Sequence, residues 1–529
     1  MMNTLATKNI NKTTEELQIE NSLLQQQVAE LFSKLNWFEE QFKLGQKFRF
    51  GRSSEKMPII GQLDIFNEAE AESETKSEEK ESLIEEITYK RKKRAGHRED
   101  QFKDIPVETI EYRLPEEEQV CSCCGGDLHE MSTEVRREIE VIPAQVKLIQ
   151  HVRYVYSCRD CEKNEISTPI KTAPMPIPAL PGSPASASAI AYIMSQKFVE
   201  GMPLYRQEKS FERLGIKLSR QTMANWMLQA SERWLCKVYE QMKEQLLKSD
   251  ILHGDETTLQ VLHEEGRSPE TNSYMWLYRT GRDGPPIILY DYQTTRARKH
   301  PEKFLETFAG YMHVDGYAGY EGLKNIILSG CWAHARRKFM EALDALPKDK
   351  RNADVASNKG LDFCNKLFEI ERKLKDVSAD ERYTERLKQS RPILDEFWEW
   401  LRYHKPRVLP KSAFGTAVKY CLNQKNKLET FLLDGRLEID NNRCERSVKP
   451  FVIGRKGWLF ANTARGAKSS AIIYSVVETA KENDINPLKY ICYLLEQLPN
   501  MDIEDKDTLD KLLPWSDELP ENLKVKRST

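Results

Sequence analysis

The sequence predicts a multidomain α+β protein, and three observations carry that expectation. At 529 residues the chain exceeds what one hydrophobic core organises. Two Cys-x-x-Cys pairs flank a stretch of strand-like alternation. From residue 250 onward, five short apolar runs separated by turns give way to long segments of helical period.

Composition narrows the class. The formal charge of −2 conceals a split, because residues 68–86 hold nine Glu against two Lys and so leave about +5 on the remainder. An anionic partner is compatible with that balance. No apolar run approaches the roughly 18 residues that span a bilayer, and the amino terminus lacks the apolar core of a signal peptide. The expectation is a cytoplasmic protein without a membrane partner. Eleven Cys are too dilute for a disulfide scaffold.

Leu17, Leu24, Leu31 and Phe38 recur at heptad spacing, with Asn21, Val28, Leu35 and Phe42 at the complementary position. Residues 13–48 therefore read as a zipper-type coiled coil, and the seam Asn as a register-fixing device in a homodimer. A single amphipathic helix lying on its own domain has the same pattern. Residues 49–118 read as a linker whose acidic stretch ends in the basic arm "YKRKKRAGHRE", a candidate for phosphate contact.

Residues 119–170 form the cysteine module. "REIEVIPAQVKLIQHVRYVYSC" alternates as two strands around Pro143 and brings Cys121, Cys124, Cys158 and Cys161 together. Four thiolates suit a structural, tetrahedral Zn²⁺. Cys123 is a competing ligand, and buried free thiols are the alternative.

A Pro-rich connector leads to helical residues 185–245. Within them, "LYRQEKSFERLGIKLSRQTMANWMLQA" reads as helix, Gly turn at 215, and a second helix capped by Ser219. Met223, Trp226, Met227 and Ala230 share one face, while Arg220, Gln221 and Asn225 point elsewhere, as in a helix-turn-helix that reads DNA. A plain helical hairpin looks the same.

The five apolar runs predict five strands of one sheet, the last followed by a helix. Two strands carry an Asp among apolar neighbours, Asp255 and Asp315. A buried carboxylate is costly unless paired or bound to a cation. On adjacent strands these two form half of a site for hard divalent ions, and two such ions about 4 Å apart serve both oxygens of a phosphodiester displacement. Glu445 is the candidate third acid, on a helix starting at Asp440 or Asn441, with Arg446 and Lys449 near the phosphate. Glu256, Asp291, Glu438 and Asp440 compete, and each acid taken alone reads as a cap or turn former.

Residues 246–335 and 436–483 thus make the catalytic core, interrupted by an all-helical insertion at 336–435 in which Leu394, Phe397, Trp398 and Leu401 share a face. "FVIGRKGWLFANTARGAKSS" is basic and Gly-punctuated, suited to tracking phosphates, and leads into helices at 466–483 and 486–497. Residues 484–529 form a helical tail.

These strings together resemble the large transposase of the insertion sequence family 66: "FGRSSEK", "CSCCGG", "PLYRQEKSFERLGIKLSRQTMANW", "LHGDETTLQVL", "DGYAGY", "CWAHARRKF", "IDNNRCERSVKPFVIGRKGWLF" and "LLPW". The resemblance implies a DDE transposase with an RNase H-like core, preceded by coiled coil, zinc ribbon and helix-turn-helix. It assigns the catalytic, Mg²⁺-binding acids to Asp255, Asp315 and Glu445. It also implies binding of the element's terminal inverted repeats and target DNA, and accessory proteins of the same element in a bacterial, nucleoid-associated setting. Water attack at an element end then frees a 3′-OH that attacks target DNA. Lys449 stands where Arg is usual in the family, and "CSCC" carries an extra thiol. His334, Arg336 and Arg337 are further candidates for DNA contact. His334-x-x-Arg337 also imitates a tyrosine recombinase, the rival chemistry, and a non-catalytic DNA-binding regulator is the rival class.

Overall fold

The computed structural model describes residues 145–156, 171–347, 351 and 355–525, together with helical positions 21, 27 and 34. The zipper leucines, the acidic linker and all four candidate zinc cysteines lie outside the described residues. The chain forms two compact units. In the smaller, β1 (Val155–Tyr156) pairs antiparallel with β2 (Lys171–Thr172). Residues 145–154, expected to continue a hairpin strand, hold no regular element.

The larger unit is built on a six-stranded sheet. β3 (Ile251–His263), β4 (Asn272–Thr280) and β5 (Ile288–Gln293) form an antiparallel meander. β6 (Gly310–Val314) and β7 (Ile326–Gly330) add in parallel on the other side of β3. The order is β5-β4-β3-β6-β7, and the three-residue β8 (Ala461–Thr463) pairs with the far end of β3. The centre of β3 is buried on both faces, which is why "ILHGDETTLQVL" reads as a run rather than an alternation.

Helices α1 (Ala187–Phe198), α2 (Leu204–Arg213), α3 (Arg220–Ala230) and α4 (Cys236–Leu247) precede the sheet. The turn after α2 holds Gly215 at φ +84°. Ser219 caps α3 by accepting from the Thr222 N–H at 3.1 Å. Met223, Met227 and Ala230 are buried, while Arg220, Gln221 and Asn225 are exposed.

After β7 the described residues up to 437 hold only helices and turns: α5 (Lys299–Phe304) lies earlier, and α6 (Trp332–Asp344), α7 (Ala356–Lys373), α8 (Ala379–Glu385), α9 (Arg391–His404), α10 (Ala413–Asn423) and α11 (Lys425–Glu429) follow. Their core, rich in Phe339, Phe363, Phe397 and Trp398, is continuous with Ile251 of the sheet and with Leu437 and Ile439 of the returning chain. Arg386, 1 % exposed, fixes that return. It grips Glu371 through two hydrogen bonds of 2.7 and 2.6 Å and donates to the Phe431, Asp434 and Leu437 carbonyls, so every donor of its fork is used.

The returning chain forms α12 (Asn442–Trp458), then α13 (Ala464–Glu482), α14 (Pro487–Gln497) and the short α15 (Lys506–Asp510). α12 runs straight through "FVIGRKGW", the segment expected as a Gly-punctuated phosphate track. Its glycines serve packing: a Cβ on Gly454 would lie 2.3 Å from the Tyr474 hydroxyl, and one on Gly457 3.0 Å from the Gly201 carbonyl. α13 covers the sheet edge. Thr479 Oγ1 accepts from the Ile288 N–H and Ser475 Oγ from the Tyr290 N–H, giving β5 the hydrogen bonds a missing strand would supply.

Candidate active site

β3 and β6 are parallel neighbours paired as Leu252↔Met312 and His253↔His313. The same register carried two residues on sets Asp255 opposite Asp315. Gly254 lies just before, and a Cβ there would meet the flexible tip of Met312, 2.2 Å from its Cε. Asp255 is 9 % exposed and accepts from the Glu256 N–H at 2.8 Å. Half-buried Asp315 accepts from the Tyr317 N–H at 2.8 Å.

Glu445 arrives in the first turn of α12, 6 % exposed. Its approach is set by Asn441, which does not cap the helix with its side chain. Instead, Asn441 Nδ2 donates to the Gly254 carbonyl at 3.0 Å and Oδ1 pairs with His253 Nδ1 at 2.8 Å. The capping contacts fall to Asp440, which accepts from the Asn442 N–H at 3.1 Å. Asn441 thereby clamps the helix bearing Glu445 to the strand bearing Asp255. Arg279 adds a second tie, donating from β4 to Ser447 Oγ at 2.6 Å and the Arg443 carbonyl at 3.1 Å.

Burial lifts the Asp255 carboxyl well above the usual carboxylate range, and the charges of Glu256, Asp315 and Glu445 raise it further. Four carboxylates therefore share one field. Glu256 is held by Arg296, whose Nε donates to it at 2.7 Å, and by the Tyr320 hydroxyl, which donates at 2.7 Å. Even so, burial and the Asp315 charge push Glu256 up to about 7.

Beneath the pair, the fully buried rings of His253 and His313 stack with centroids 4.4 Å apart. Burial holds His253 down to about 4, so both rings pack as neutral imidazoles. Glu438 lies against them, 3.5 Å from His253 Nε2, and its own cations are Arg443 at 3.0 Å and Arg282 at 3.6 Å. That engagement removes Glu438 as a competitor for the cluster. Asp291 sits on β5, bonded to Gln293 at 2.8 Å, and is not among the charges acting on Asp255.

His334 opens α6 beside the cluster, with Nδ1 3.8 Å from Glu445 Oε1. Burial and the neighbouring Arg337 lower its imidazole to about 4, so at neutral pH this contact is not an ion pair. Arg336 turns away, donating to Asn365 at 2.8 Å. Arg446 is exposed and Lys449 half-buried. Sequence reasoning missed Asn441, the His253–His313 stack and Cys331, which joins His334 and Glu445. The Cys331-x-x-His334 spacing was the available signal for the last.

The donor chemistry fits hard divalent ions. Asp255, Asp315 and Glu445 offer carboxylate oxygens, and burial together with the acidic neighbours raises the Asp255 carboxyl. Among the described residues, no helix is long and apolar enough to cross a membrane.

Comparison with known proteins places these features in a family. The Transposase IS66 family model matches residues 182–469, more than half of the chain. The zinc-finger binding domain of transposase IS66 matches 118–162, the IS66 C-terminal element 475–515, and the Transposase C of IS166 homeodomain 37–110. The chain is similar to three uncharacterized proteins of Sinorhizobium fredii. It is 30% identical to y4hP over 499 residues, 89% of this chain and 87% of that one. It is 28% identical to y4qI over 493 residues, 90% and 87% of the two chains, and 28% identical to y4jD over 414 residues, 76% and 78%. By these matches, spanning both the sheet and the cysteine module, the chain belongs to the IS66 family of transposases.

Proposed function

We propose that the protein binds the terminal inverted repeats of an insertion sequence and catalyses metal-dependent phosphodiester hydrolysis and strand transfer, with Asp255, Asp315 and Glu445 as the catalytic acids. The observation that carries this reading is the Asp255 carboxyl, raised by burial and by three neighbouring carboxylates, Glu256 on the same strand, Asp315 just past the end of β6 and Glu445 on α12. Such crowding is unfavourable without a bound cation. The strand order, three antiparallel strands followed by two parallel ones, supports an RNase H-like core.

Mg²⁺ is the expected ion, held by Asp255, Asp315 and Glu445; when bound it supplies Lewis acidity and charge neutralisation at the phosphate. The protein's own part is alignment. Asn441 fixes the distance from α12 to β3, and Arg296 with Tyr320 keeps Glu256 from displacing its neighbours. Exposed Arg446 and half-buried Lys449 and Arg337 orient the DNA backbone. Arg220, Gln221 and Asn225, on the exposed first turns of α3, contact the repeat, following the helix-turn-helix pattern. Cys121, Cys124, Cys158 and Cys161 hold structural Zn²⁺, a reading supported by the zinc-finger match. The zipper pairs two copies, and accessory proteins of the same element complete the assembly.

The test is nicking of a labelled element end by the purified protein with Mg²⁺. Asp255→Asn, Asp315→Asn and Glu445→Gln each lose cleavage by at least about 100-fold while retaining the gel shift. Ordinary cleavage by any one variant removes that residue from the site. Cleavage that survives a chelator and leaves DNA attached to a Tyr supports the recombinase chemistry instead.

A further inference from the structure

Cys331, His334 and Glu445 converge from the N-termini of two helices, α6 and α12. A thiol sulfur, an imidazole nitrogen and a carboxylate oxygen all lie within 4.8 Å of one another. Cys331 is fully buried. His334 Nδ1 is buried without a hydrogen-bond partner, and an orphaned buried nitrogen of this kind asks for a missing partner. The Cys331 sulfur accepts the Asn441 backbone N–H at 3.2 Å and a second backbone N–H from His334. Burial and the nearby Glu445 and Asp440 charges raise the thiol well above its usual range while these two donors oppose that rise, so a metal ion displaces the thiol proton on binding.

The donor set differs from that of the acid cluster. Asp255 and Asp315 offer only oxygen, which suits Mg²⁺, whereas one sulfur, one nitrogen and one oxygen select a softer ion. Zinc bonds of about 2.0–2.3 Å in a tetrahedron set ligand atoms roughly 3.3–3.8 Å apart. Rotation of the Glu445 and His334 side chains closes the remaining gap. Three protein ligands leave the fourth position open, as in exchangeable rather than purely structural zinc sites.

We propose that Cys331, His334 and Glu445 form a binding site for a borderline-soft divalent cation, with Zn²⁺ as its reference ion, and that occupancy withdraws Glu445 from the oxygen site and inhibits Mg²⁺-dependent cleavage. Binding releases the Cys331 thiol proton to solvent, while the neutral His334 donates a lone pair. The inhibition rests on the assignment of Glu445 as a catalytic acid; the binding does not.

The experiment uses the full-length protein equilibrated at a free Zn²⁺ level set by a chelator buffer, with zinc per chain measured by mass spectrometry. Wild type is compared with Cys331→Ser and His334→Ala, each checked by circular dichroism, and His334→Ala carries the test alone if the Ser variant does not fold. Each folded variant holds one zinc fewer per chain than wild type. Replacement by Co²⁺ gives a wild-type-minus-variant spectrum containing a thiolate-to-cobalt charge-transfer band. Zinc inhibition of nicking weakens in His334→Ala by more than the roughly tenfold that loss of an outer partner costs. Equal zinc content in all three proteins, or a difference spectrum without the thiolate band, overturns the site. Unchanged zinc sensitivity in a variant that has lost its zinc overturns the inhibitory role. A zinc difference in a protein that never nicks with Mg²⁺ leaves the site standing and removes the cleavage reading; nicking with equal zinc content does the reverse.

Discussion

Glu256→Gln isolates the electrostatic cost built into the acid cluster. In the folded protein, burial and Asp315 raise Glu256 from an ordinary value of 4.5 to about 7, despite Arg296 and Tyr320. The shift is worth about 3 kcal/mol. The sign follows from the direction. An acid whose folded value lies above its unfolded one favours folding while protonated, so that contribution is present below pH 4.5 and lost as pH rises through about 7. At pH 4.5 the wild-type residue and Gln are both neutral, and the two proteins have similar stability. By pH 8, without divalent ions, the wild type falls behind the variant by about 3 kcal/mol. Urea unfolding measures this through Trp fluorescence, since buried Trp276 lies edge-on to Tyr320 with ring centroids 5.6 Å apart. Added Mg²⁺ narrows the gap if it binds the ionised cluster as proposed. Parallel stability profiles from pH 4.5 to 8 would refute the claim that Glu256 is held in a strained ionisation state.

Three further outcomes follow from the same geometry. Because the Asp255 carboxyl is raised well above the usual range, Mg²⁺ binding to the proposed site is accompanied by proton release; calorimetry in two buffers of different ionisation enthalpy reads this, and identical heats count against it. Asn441→Ala strands the Gly254 carbonyl and His253 Nδ1 in a buried setting, lowering stability by about 2–4 kcal/mol, whereas a shift in the urea midpoint worth less than about 1 kcal/mol shows that the clamp is dispensable. Arg386→Met leaves Glu371 and three carbonyls without their donor, costing about 3–5 kcal/mol. Limited proteolysis then cuts first between residues 336 and 437, and an unchanged digestion pattern contradicts the role given to Arg386.

Local pattern sufficed wherever the signal was local. The five main strands appear where the apolar runs lie, and in β3 and β4 burial on both faces forces near-continuous buried segments. Ser219 caps α3 as its position suggests. The three-residue β8 carried no such signal, being too short for any period to register. Glycine misled at 454 and 457. In sequence they read as punctuation, yet they sit inside α12, where a Cβ would crowd the Tyr474 hydroxyl at 454 and the Gly201 carbonyl at 457. Asn441 does stand at the N-cap position, one of the two expected starts of the helix. It has the composition of a cap, but its amide is spent on β3, a partner 187 residues away for the Gly254 bond.

The sequence by itself determined the residue types proposed for hard-cation chemistry and the segments carrying them: an Asp within one apolar strand, an Asp just past the end of another and a Glu at the start of a helix. Only the tertiary structure decided their company. Which acid faces which, that Arg296 engages Glu256 while Glu438 is drawn off by Arg443 and Arg282, and that Cys331 and His334 meet Glu445 all depend on contacts between segments far apart in the chain. Field strength and burial are properties of that packing, whereas periodicity and capping are written in neighbouring residues.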